Sequence, residues 1–439
     1  MRFKTAWFAI FWANWIILFL FWWIGSGGDL LYGGGSTLVA FGRLLGLMAT
    51  YMILIQFFTM GRAPFLERVF GLDRLTRIHH QNGKWGMLAL LCHPPLLILG
   101  YARNAGSTIA QEAKDVFLMP HIIPAGAGLL LFIVVVASSI VIVRRKLRYE
   151  TWYVVHLLAY LAVFLSLGHQ FSLGKDLLSN TLFYGYWVLL YVAVFSFHAV
   201  FRFGRPLYLF ARHRFSVQRI TQENYNTYSV VITGRAMDRF LVRPGQFLIV
   251  RFFARGSWWQ AHPFSLSAVP DGTCIRVTIK ALGDFTHTVK DIPPGTSVLI
   301  DGPYGIFTDG PRVQKKVLCI AGGIGITPIR SLMEGMSREG KDVVLLYANK
   351  TAKDIVFQQE LQDVAARLRA SIIHIVSDDP NFSGEQGTLD GPRIQALVPD
   401  TPEREVFLCG PVPMMRAIVP ALVALGVSSK RIHTEQFSL

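Results

Sequence analysis

Seven histidines fall before residue 210 of this 439-residue chain, inside or beside long apolar runs, and four of them are regularly spaced. His79 and His93 stand fourteen residues apart, and His156 and His169 stand thirteen apart. On helices rising ~1.5 Å per residue, each pair is separated by about 20 Å along the axis. If the two segments run in the same direction, His79 and His156 share one level, and His93 and His169 share the other. Ionisable groups inside a membrane are costly and are functional suspects by default. Imidazole is a suitable axial ligand for haem iron. Two levels, each with one histidine from each of two helices, are what two stacked bis-histidine haems require. The competing reading of any single one is an interhelical hydrogen bond. Fourteen residues return close to the same helix face, whereas thirteen, at ~100° per residue, do not. The segment holding His156 and His169 is therefore expected to bend or bulge, or to present its imidazoles on different faces. His80 competes with His79 as a ligand. Gly83, four residues after His79, favours His79 by leaving room for a flat ring.

A second set of residues, in the other half of the chain, fits nucleotide chemistry. His262-Pro263-Phe264-Ser265 can lay an aromatic side chain against a ring and set a hydroxyl near a polar ring atom. Lys280 and Gly283-Asp284-Phe285-Thr286 follow, and a glycine turn with free backbone N–H groups and a threonine hydroxyl suits a pyrophosphate. Gly322-Gly323-x-Gly325-x-Thr327-Pro328 sits between a strand and a helix, where backbone N–H groups and a helix N-terminus meet a phosphate. Pro328 stands where the usual dinucleotide fingerprint has its third glycine, and it starts a helix well. Asn349-Lys350 and Cys409-Gly410-Pro411 end later strands, where open α/β sheets bind ligands.

The elements that must position these residues divide the chain. Hydrophobic residues make up 52% and charged residues 16%, which excludes a disordered or fibrous chain and points to membrane spans. Six apolar runs, roughly 5–24, 38–60, 79–101, 120–143, 152–171 and 181–203, are each near the ~20 residues that cross a hydrocarbon core. The first follows Arg2 and Lys4 but is long for a signal peptide and lacks a cleavage site, so it reads as an anchor. Arg62, Arg68, Arg74, Arg77, Arg144, Arg145, Lys146, Arg148, Arg202, Arg205, Arg212 and Arg214 follow the even-numbered spans, whereas the other loops carry only Arg103, Lys114 and Lys175. This bias predicts both termini, and the whole second half, on the cytoplasmic side of a cell membrane. The net charge of +15 is thus a topology signal and a lipid-headgroup contact, and nucleic acid is not an expected partner. Cys92, Cys274, Cys319 and Cys409 show neither disulfide nor zinc spacing. Arg43, near the outer end of the second span, needs an anionic partner, such as a haem propionate or a reduced-oxygen anion, or else snorkels to the outer headgroups. Short β-rich runs over 215–301 predict a small antiparallel barrel, and the strand–turn–helix pattern beyond predicts a doubly wound α/β domain. The expected fold is therefore a six-helix transmembrane bundle over 1–210, an antiparallel β-barrel over 211–309, and an α/β nucleotide-binding domain over 310–439.

The order of these motifs resembles the ferric reductase and NADPH oxidase superfamily, transmembrane flavocytochromes b with a ferredoxin–NADP reductase-like module in the last ~225 residues; prokaryotic NADPH oxidases are the nearest form. The resemblance implies two b haems, FAD and NADPH, with NADH possible. It makes His262–Ser265 the flavin signature with Ser265 facing the isoalloxazine, Gly283–Thr286 a second FAD segment, and Gly302–Gly305 and Gly322–Pro328 the NAD(P)H turns. Cys409-Gly410-Pro411 becomes the nicotinamide-side motif, and Phe437 the terminal aromatic over the flavin. Lys350, beside Asn349, replaces the arginine that often holds the 2′-phosphate. Arg43 resembles the oxidases' outer-haem arginine, whereas Leu97 stands where they often carry a further histidine. The activity implied is electron transfer from NADPH through FAD and both haems to oxygen, giving superoxide. The alternatives are a ferric or cupric chelate as acceptor, or a membrane electron-transfer subunit serving a partner protein. No obligatory protein partner and no regulatory domain is evident.

Overall fold

The computed structural model describes residues 2–140, 146–147, 149–310, 313–368 and 370–436. These divide into two compact units, Met1–Phe203 and Gly204–Leu439, each described here on its own.

Six helices in the first unit are long and apolar enough to cross a membrane: α1 (Arg2–Ser26), α2 (Gly34–Thr59), α3 (Leu72–Ala105), α4 (Ile122–Ser139), α5 (Tyr149–Leu173) and α6 (Thr181–His198). Several run past the apolar stretches that predict them. The first apolar stretch continues to Tyr32, and the last runs on from α6 to His213. Helix α2 packs along α3, and α4 along α5, through small residues. A Cβ at Gly100 of α3 would stand 2.7 Å from the carbonyl oxygen of Gly35, and one at Gly128 of α4 2.7 Å from that of Ala162 on α5. Backbones approach this closely in apolar surroundings only where side chains are missing. Trp22, Phe183, Trp187 and Ala162 fill the centre of the unit. Helix α5 carries no 3₁₀ or π interruption among its described residues, so the expected bulge is not there. His156 and His169 therefore leave an unbroken helix on different faces. Of the basic stretch after α4, Arg144, Arg145 and Arg148 lie outside the described residues.

The second unit opens with an amphipathic helix, α7 (Arg205–His213). Two three-stranded antiparallel sheets follow, ordered β1-β2-β5 and β4-β3-β6. They are built from β1 (Ser216–Asn224), β2 (Thr227–Thr233), β3 (Phe247–Phe252), β4 (His262–Ser265), β5 (Cys274–Lys280) and β6 (Val298–Tyr304). Bridges at Ser216–Ser297 and Leu266–Val277 join the two sheets. The enclosed core is Val230, Ile232, Leu248, Val250, Leu266, Val277 and Ile300, the inward half of a period-2 pattern. A six-stranded parallel sheet follows in the order β10-β9-β8-β7-β11-β12: β7 (Lys316–Gly322), β8 (Asp342–Asn349), β9 (Ser371–Val376), β10 (Glu385–Gln386), β11 (Glu405–Cys409) and β12 (Ile432–Glu435). Helices α8 (Ile326–Arg338), α9 (Gln358–Leu368) and α10 (Val412–Ala424) are among those that cover its faces.

Candidate functional site

Histidine placement gives the membrane unit its chemistry. His79 of α3 and His156 of α5 face each other with ring centroids 6.0 Å apart. Metal–imidazole bonds of ~2 Å, plus about 1 Å from each nitrogen to its ring centre, put two trans imidazoles ~6 Å apart, so one metal ion fits between them. His80 is exposed and does not join this pair. The reason for preferring His79 changes, however. The space at Gly83 is taken by the Gln56 amide of α2, 2.6 Å from where a Cβ would stand. Ser139 gives its proton to the Val135 carbonyl at 2.7 Å, so its Oγ can accept the Nδ1–H of His156 at 3.3 Å. That leaves His156 Nε2 with a free lone pair.

At the other level, His93 Nδ1 donates to the Gly42 carbonyl at 2.7 Å, again leaving Nε2 as the ligating atom. Gly46 makes room for this ring, since a Cβ there would lie 2.8 Å from it. His169 has His93 and His121 as electrostatic neighbours. The Nδ1 atoms of His79 and His169 are buried and make no hydrogen bond of the kind that turns Nε2 of His93 and His156 toward a ligand. The donor set fits haem where His79 meets His156, and His93 and His169 supply the same residue types at the other level. Arg43 is already partnered. Its guanidinium pairs with Asp29 at 3.3 Å and donates to Ser26 Oγ at 3.2 Å, while Ser26 donates to the buried Asp176 at 2.6 Å. Sequence reasoning missed this network because neither carboxylate lies near Arg43 in the chain. It also missed Gln170, whose side-chain oxygen accepts from Trp187 at 3.2 Å and Tyr191 at 3.0 Å.

In the second unit, β4 pairs with β3 so that Ser265 stands opposite Phe247. The Ser265 hydroxyl is buried and has no hydrogen-bond partner, an orphan that a flavin ring atom would satisfy. His262 stacks on Phe285 with centroids 4.2 Å apart, and Phe264 lies nearly parallel to Phe285. An aromatic wall thus joins the two segments, with Pro263 on the strand between His262 and Phe264. Thr286 is spent on its own turn: its Oγ1 accepts from Leu282 and Gly283 N–H. Gly283 itself borders open space, and Asp284 begins the short helix it caps. Lys280 pairs with Asp354 at 3.7 Å. Burial pushes the Asp354 carboxyl up, but hydrogen bonds from Thr351 and Tyr225 and the charge of Lys280 hold it below its ordinary value.

The glycine turn after β7 divides its labour. Gly322 and Gly325 pack against the turn after β11, where a Cβ at Gly325 would stand 2.3 Å from the Cys409 carbonyl oxygen. A Cβ at Gly410 would stand 3.1 Å from the Gly322 backbone, and one at Gly322 would stand 2.8 Å from Pro411. Gly323, at φ +51°, borders open space, the shape of a phosphate cradle. Thr327 donates to the Ile324 carbonyl at 3.1 Å, and Pro328 lies in the first turn of α8. At the end of β8 the Asn349 amide is buried with neither its oxygen nor its nitrogen partnered, while Lys350 is exposed. Cys409 aligns with Glu435 on neighbouring parallel strands. Burial, reinforced by the Glu435 carboxylate, pushes the Cys409 thiol well above its ordinary range. Phe437 lies outside the described residues.

Three family models match the chain in succession: a ferric reductase like transmembrane component over residues 45–167, an FAD-binding domain over 212–308, and an oxidoreductase NAD-binding domain over 319–419. Among characterised proteins, the chain is similar to the glycine betaine monooxygenase reductase subunit of Chromohalobacter salexigens, at 27% identity over 52% of this chain and 64% of that one. It is similar also to the ferredoxin reductase component of 3-ketosteroid-9-alpha-monooxygenase of Rhodococcus rhodochrous, at 28% over 51% and 64%. It thus spans about 64% of the length of these relatives. One solved structure it resembles is the FAD/NAD-binding domain of nitric oxide dioxygenase from Vibrio cholerae, with 26% identity, TM-score 0.47, and coverage of 51% of this chain and 98% of that one. The chain is an oxidoreductase that joins a membrane component to FAD- and NAD-binding domains in a fixed order, and on that order it belongs to the ferric reductase and NADPH oxidase superfamily.

Proposed function

We propose that this protein is a transmembrane NAD(P)H oxidoreductase that carries electrons from cytoplasmic NADPH, through FAD and two stacked b haems, to an acceptor across the membrane. The observation that carries the reading is the His79–His156 pair, 6.0 Å apart on two membrane-length helices, in a chain that also holds an orphaned Ser265 hydroxyl on an FAD-type barrel. When bound, FAD converts the two-electron donor into single-electron transfers and haem b carries those electrons one at a time.

The residues have separate tasks. Ser265 offers a hydroxyl to the flavin ring. Phe264, His262 and Phe285 form its apolar wall, and Pro263 fixes the backbone between the first two. Gly283, with Asp284, Thr286 and Lys280, shapes the FAD pyrophosphate segment. Gly322, Gly323, Gly325, Thr327 and Pro328 receive the dinucleotide phosphates, and Asn349 and Lys350 meet the adenosine ribose and its 2′-phosphate. NADPH is therefore the preferred donor and NADH the weaker one. Cys409, with Gly410 and Pro411, lines the nicotinamide side as a neutral thiol, and Phe437 closes the flavin face. His79 and His156 hold the inner haem, and His93 and His169 the outer. Arginine-rich segments after the even-numbered spans support cytoplasmic termini in a cell membrane. The acceptor is molecular oxygen, giving superoxide.

Two observations favour a second reading. Relatives of the reductase half are named as reductase components of monooxygenases, and Arg43 is engaged by Asp29 rather than open to a small anion. Both support delivery to a protein partner or to a ferric or cupric chelate. NADPH consumption by purified protein loaded with haem and FAD, with oxygen or a ferric chelate as sole acceptor, separates these readings. Superoxide formed one per electron supports the oxygen reading. Turnover only with the chelate supports the metal reading, and turnover with neither supports a protein partner.

A further inference from the structure

A partly buried charge cluster lies where the FAD-type barrel meets the parallel sheet inside the second unit. Arg276 of β5 makes a bidentate pair with Glu360 of α9 at 3.0 and 3.1 Å. Its guanidinium also lies 4.9 Å over the Phe357 ring. Arg330 of α8, with a side chain only 5% exposed, pairs with the same Glu360 carboxylate and with Glu334 at 2.9 Å. Both arginines donate to one acceptor, the carbonyl of Ser267, at 2.7 Å from Arg276 and 3.0 Å from Arg330. The Ser267 hydroxyl accepts in turn from Thr278 at 2.7 Å. Phe357, fully buried, is held at φ +63°, a conformation a bulky residue keeps only when its surroundings impose it.

The chain positions of these groups give the cluster a meaning. Ser267 is two residues beyond Ser265, the hydroxyl offered to the flavin. Arg330 is two residues beyond Pro328, the last residue of the phosphate-binding turn. Arg330 therefore ties the flavin-side segment to the nucleotide-side helix through the Ser267 carbonyl, with two residues of slack at each end, and the Glu360 carboxylate holds Arg330 and Arg276 together on that acceptor. Glu334 is shared between Arg330 and the more exposed Arg338, so Glu360 is the carboxylate that faces both Arg276 and Arg330; without it, two guanidinium groups would stand together in a largely buried seam, where like charges repel.

We infer that Glu360 is a positioning residue for hydride transfer: through Arg276 and Arg330 it fixes the spacing between the nicotinamide-binding and flavin-binding halves of the reductase. The inference rests on the proposed NAD(P)H–flavin reaction. Glu360 touches neither ligand, so its loss should lower the rate of flavin reduction while leaving dinucleotide KM and FAD occupancy unchanged. Restoring charge balance should restore the rate.

Full-length protein loaded with FAD and haem is mixed anaerobically with NADPH, and flavin bleaching is followed by stopped flow. The charge-transfer band formed with NADP⁺ and the melting temperature are recorded in parallel. Wild-type flavin that is reduced by neither NADPH nor NADH would overturn the underlying reading and not this inference alone. With wild type active, Glu360→Gln is expected to reduce flavin at least tenfold more slowly at unchanged KM and with a weakened band. The double variant Arg276→Gln/Glu360→Gln should recover most of both. A rate and band within twofold of wild type in Glu360→Gln, whatever its melting temperature, would overturn the inference. If Glu360→Gln loses its flavin, the double variant decides: regained FAD and rate support the positioning role, and a double variant equally empty or equally slow overturns it.

Discussion

The two halves of this molecule use the same residue types in opposite ways. In the membrane unit, large apolar side chains point outward: Ile24 is 70% exposed, Phe164 70% and Leu182 77% on the protein alone, because hydrocarbon is to solvate them. In the reductase unit the equivalent residues, Leu318, Ile320 and Leu346 among them, are wholly buried. Polar groups are handled more alike. The membrane unit pairs some of its buried polar groups, His93 with Gly42 and Asp176 with Ser26 among them, and leaves others, His79 Nδ1, His169 Nδ1 and Gln56 Oε1, without a hydrogen-bond partner. The reductase unit likewise leaves the buried Ser265 Oγ and Asn349 amide without hydrogen-bond partners. The proposed cofactor sites thus rest on histidine geometry in one half and on unpartnered hydrogen-bonding groups beside open glycines in the other.

That contrast can be broken most severely at the histidines. His156→Ala should remove one haem and leave about half the wild-type content by pyridine-haem analysis, with NADPH still bleaching the flavin. His93→Ala should do the same at the other level. Full haem in either variant would mean that these imidazoles only bond neighbouring helices.

Gly325→Ala strikes the reductase alone. Its Cβ would stand 2.3 Å from the Cys409 carbonyl oxygen, and overpacking of this kind costs ~1–3 kcal/mol. The flavin-release transition should fall on heating and dinucleotide binding should weaken, while the haem spectrum stays as in wild type. A parallel loss of haem would show that the two halves do not stand independently.

Lys350→Ala tests what the exposed end of β8 selects. A charge-assisted contact is worth ~1.5–3 kcal/mol, so the NADPH/NADH ratio of kcat/KM should fall at least tenfold. An unchanged ratio would move donor selection to another residue near Asn349. Ser265→Ala is the mildest change. One neutral hydrogen bond is worth ~1 kcal/mol, so FAD affinity or flavin reduction should fall about fivefold; no change in either would leave the orphaned hydroxyl without a role.

The same contrast explains how much was legible in the sequence. Six apolar runs gave the six membrane-length helices because lipid demands a long uninterrupted pattern. The order of the barrel strands and the Gly322–Pro328 turn was readable because backbone geometry there admits few residue types. Helix spacing brought His79 to the level of His156, and the structure adds that the two rings face each other. It could not say that Gln56 fills the space at Gly83, or that α5 runs unbroken between His156 and His169, because both depend on neighbouring helices. The partners of Arg43 and the Arg276–Glu360–Arg330 cluster were equally hidden. Each joins residues far apart in the chain, and charge pairing across a fold leaves no periodic trace. Thr286 and Lys280 were assigned to a ligand from residue type alone, whereas the turn and Asp354 engage them within the protein.

The most direct test of the central claim is an anaerobic addition of NADPH to the full-length protein carrying FAD and haem, with flavin and haem absorbance followed together. One electron path through both halves requires the flavin to bleach first and the haem bands to shift to their reduced positions afterwards, with the haem shift lost in a His79→Ala/His156→Ala variant whose flavin still bleaches. Flavin reduction in the wild type with haem that stays oxidised would contradict the account, leaving two redox halves that share a chain but not electrons.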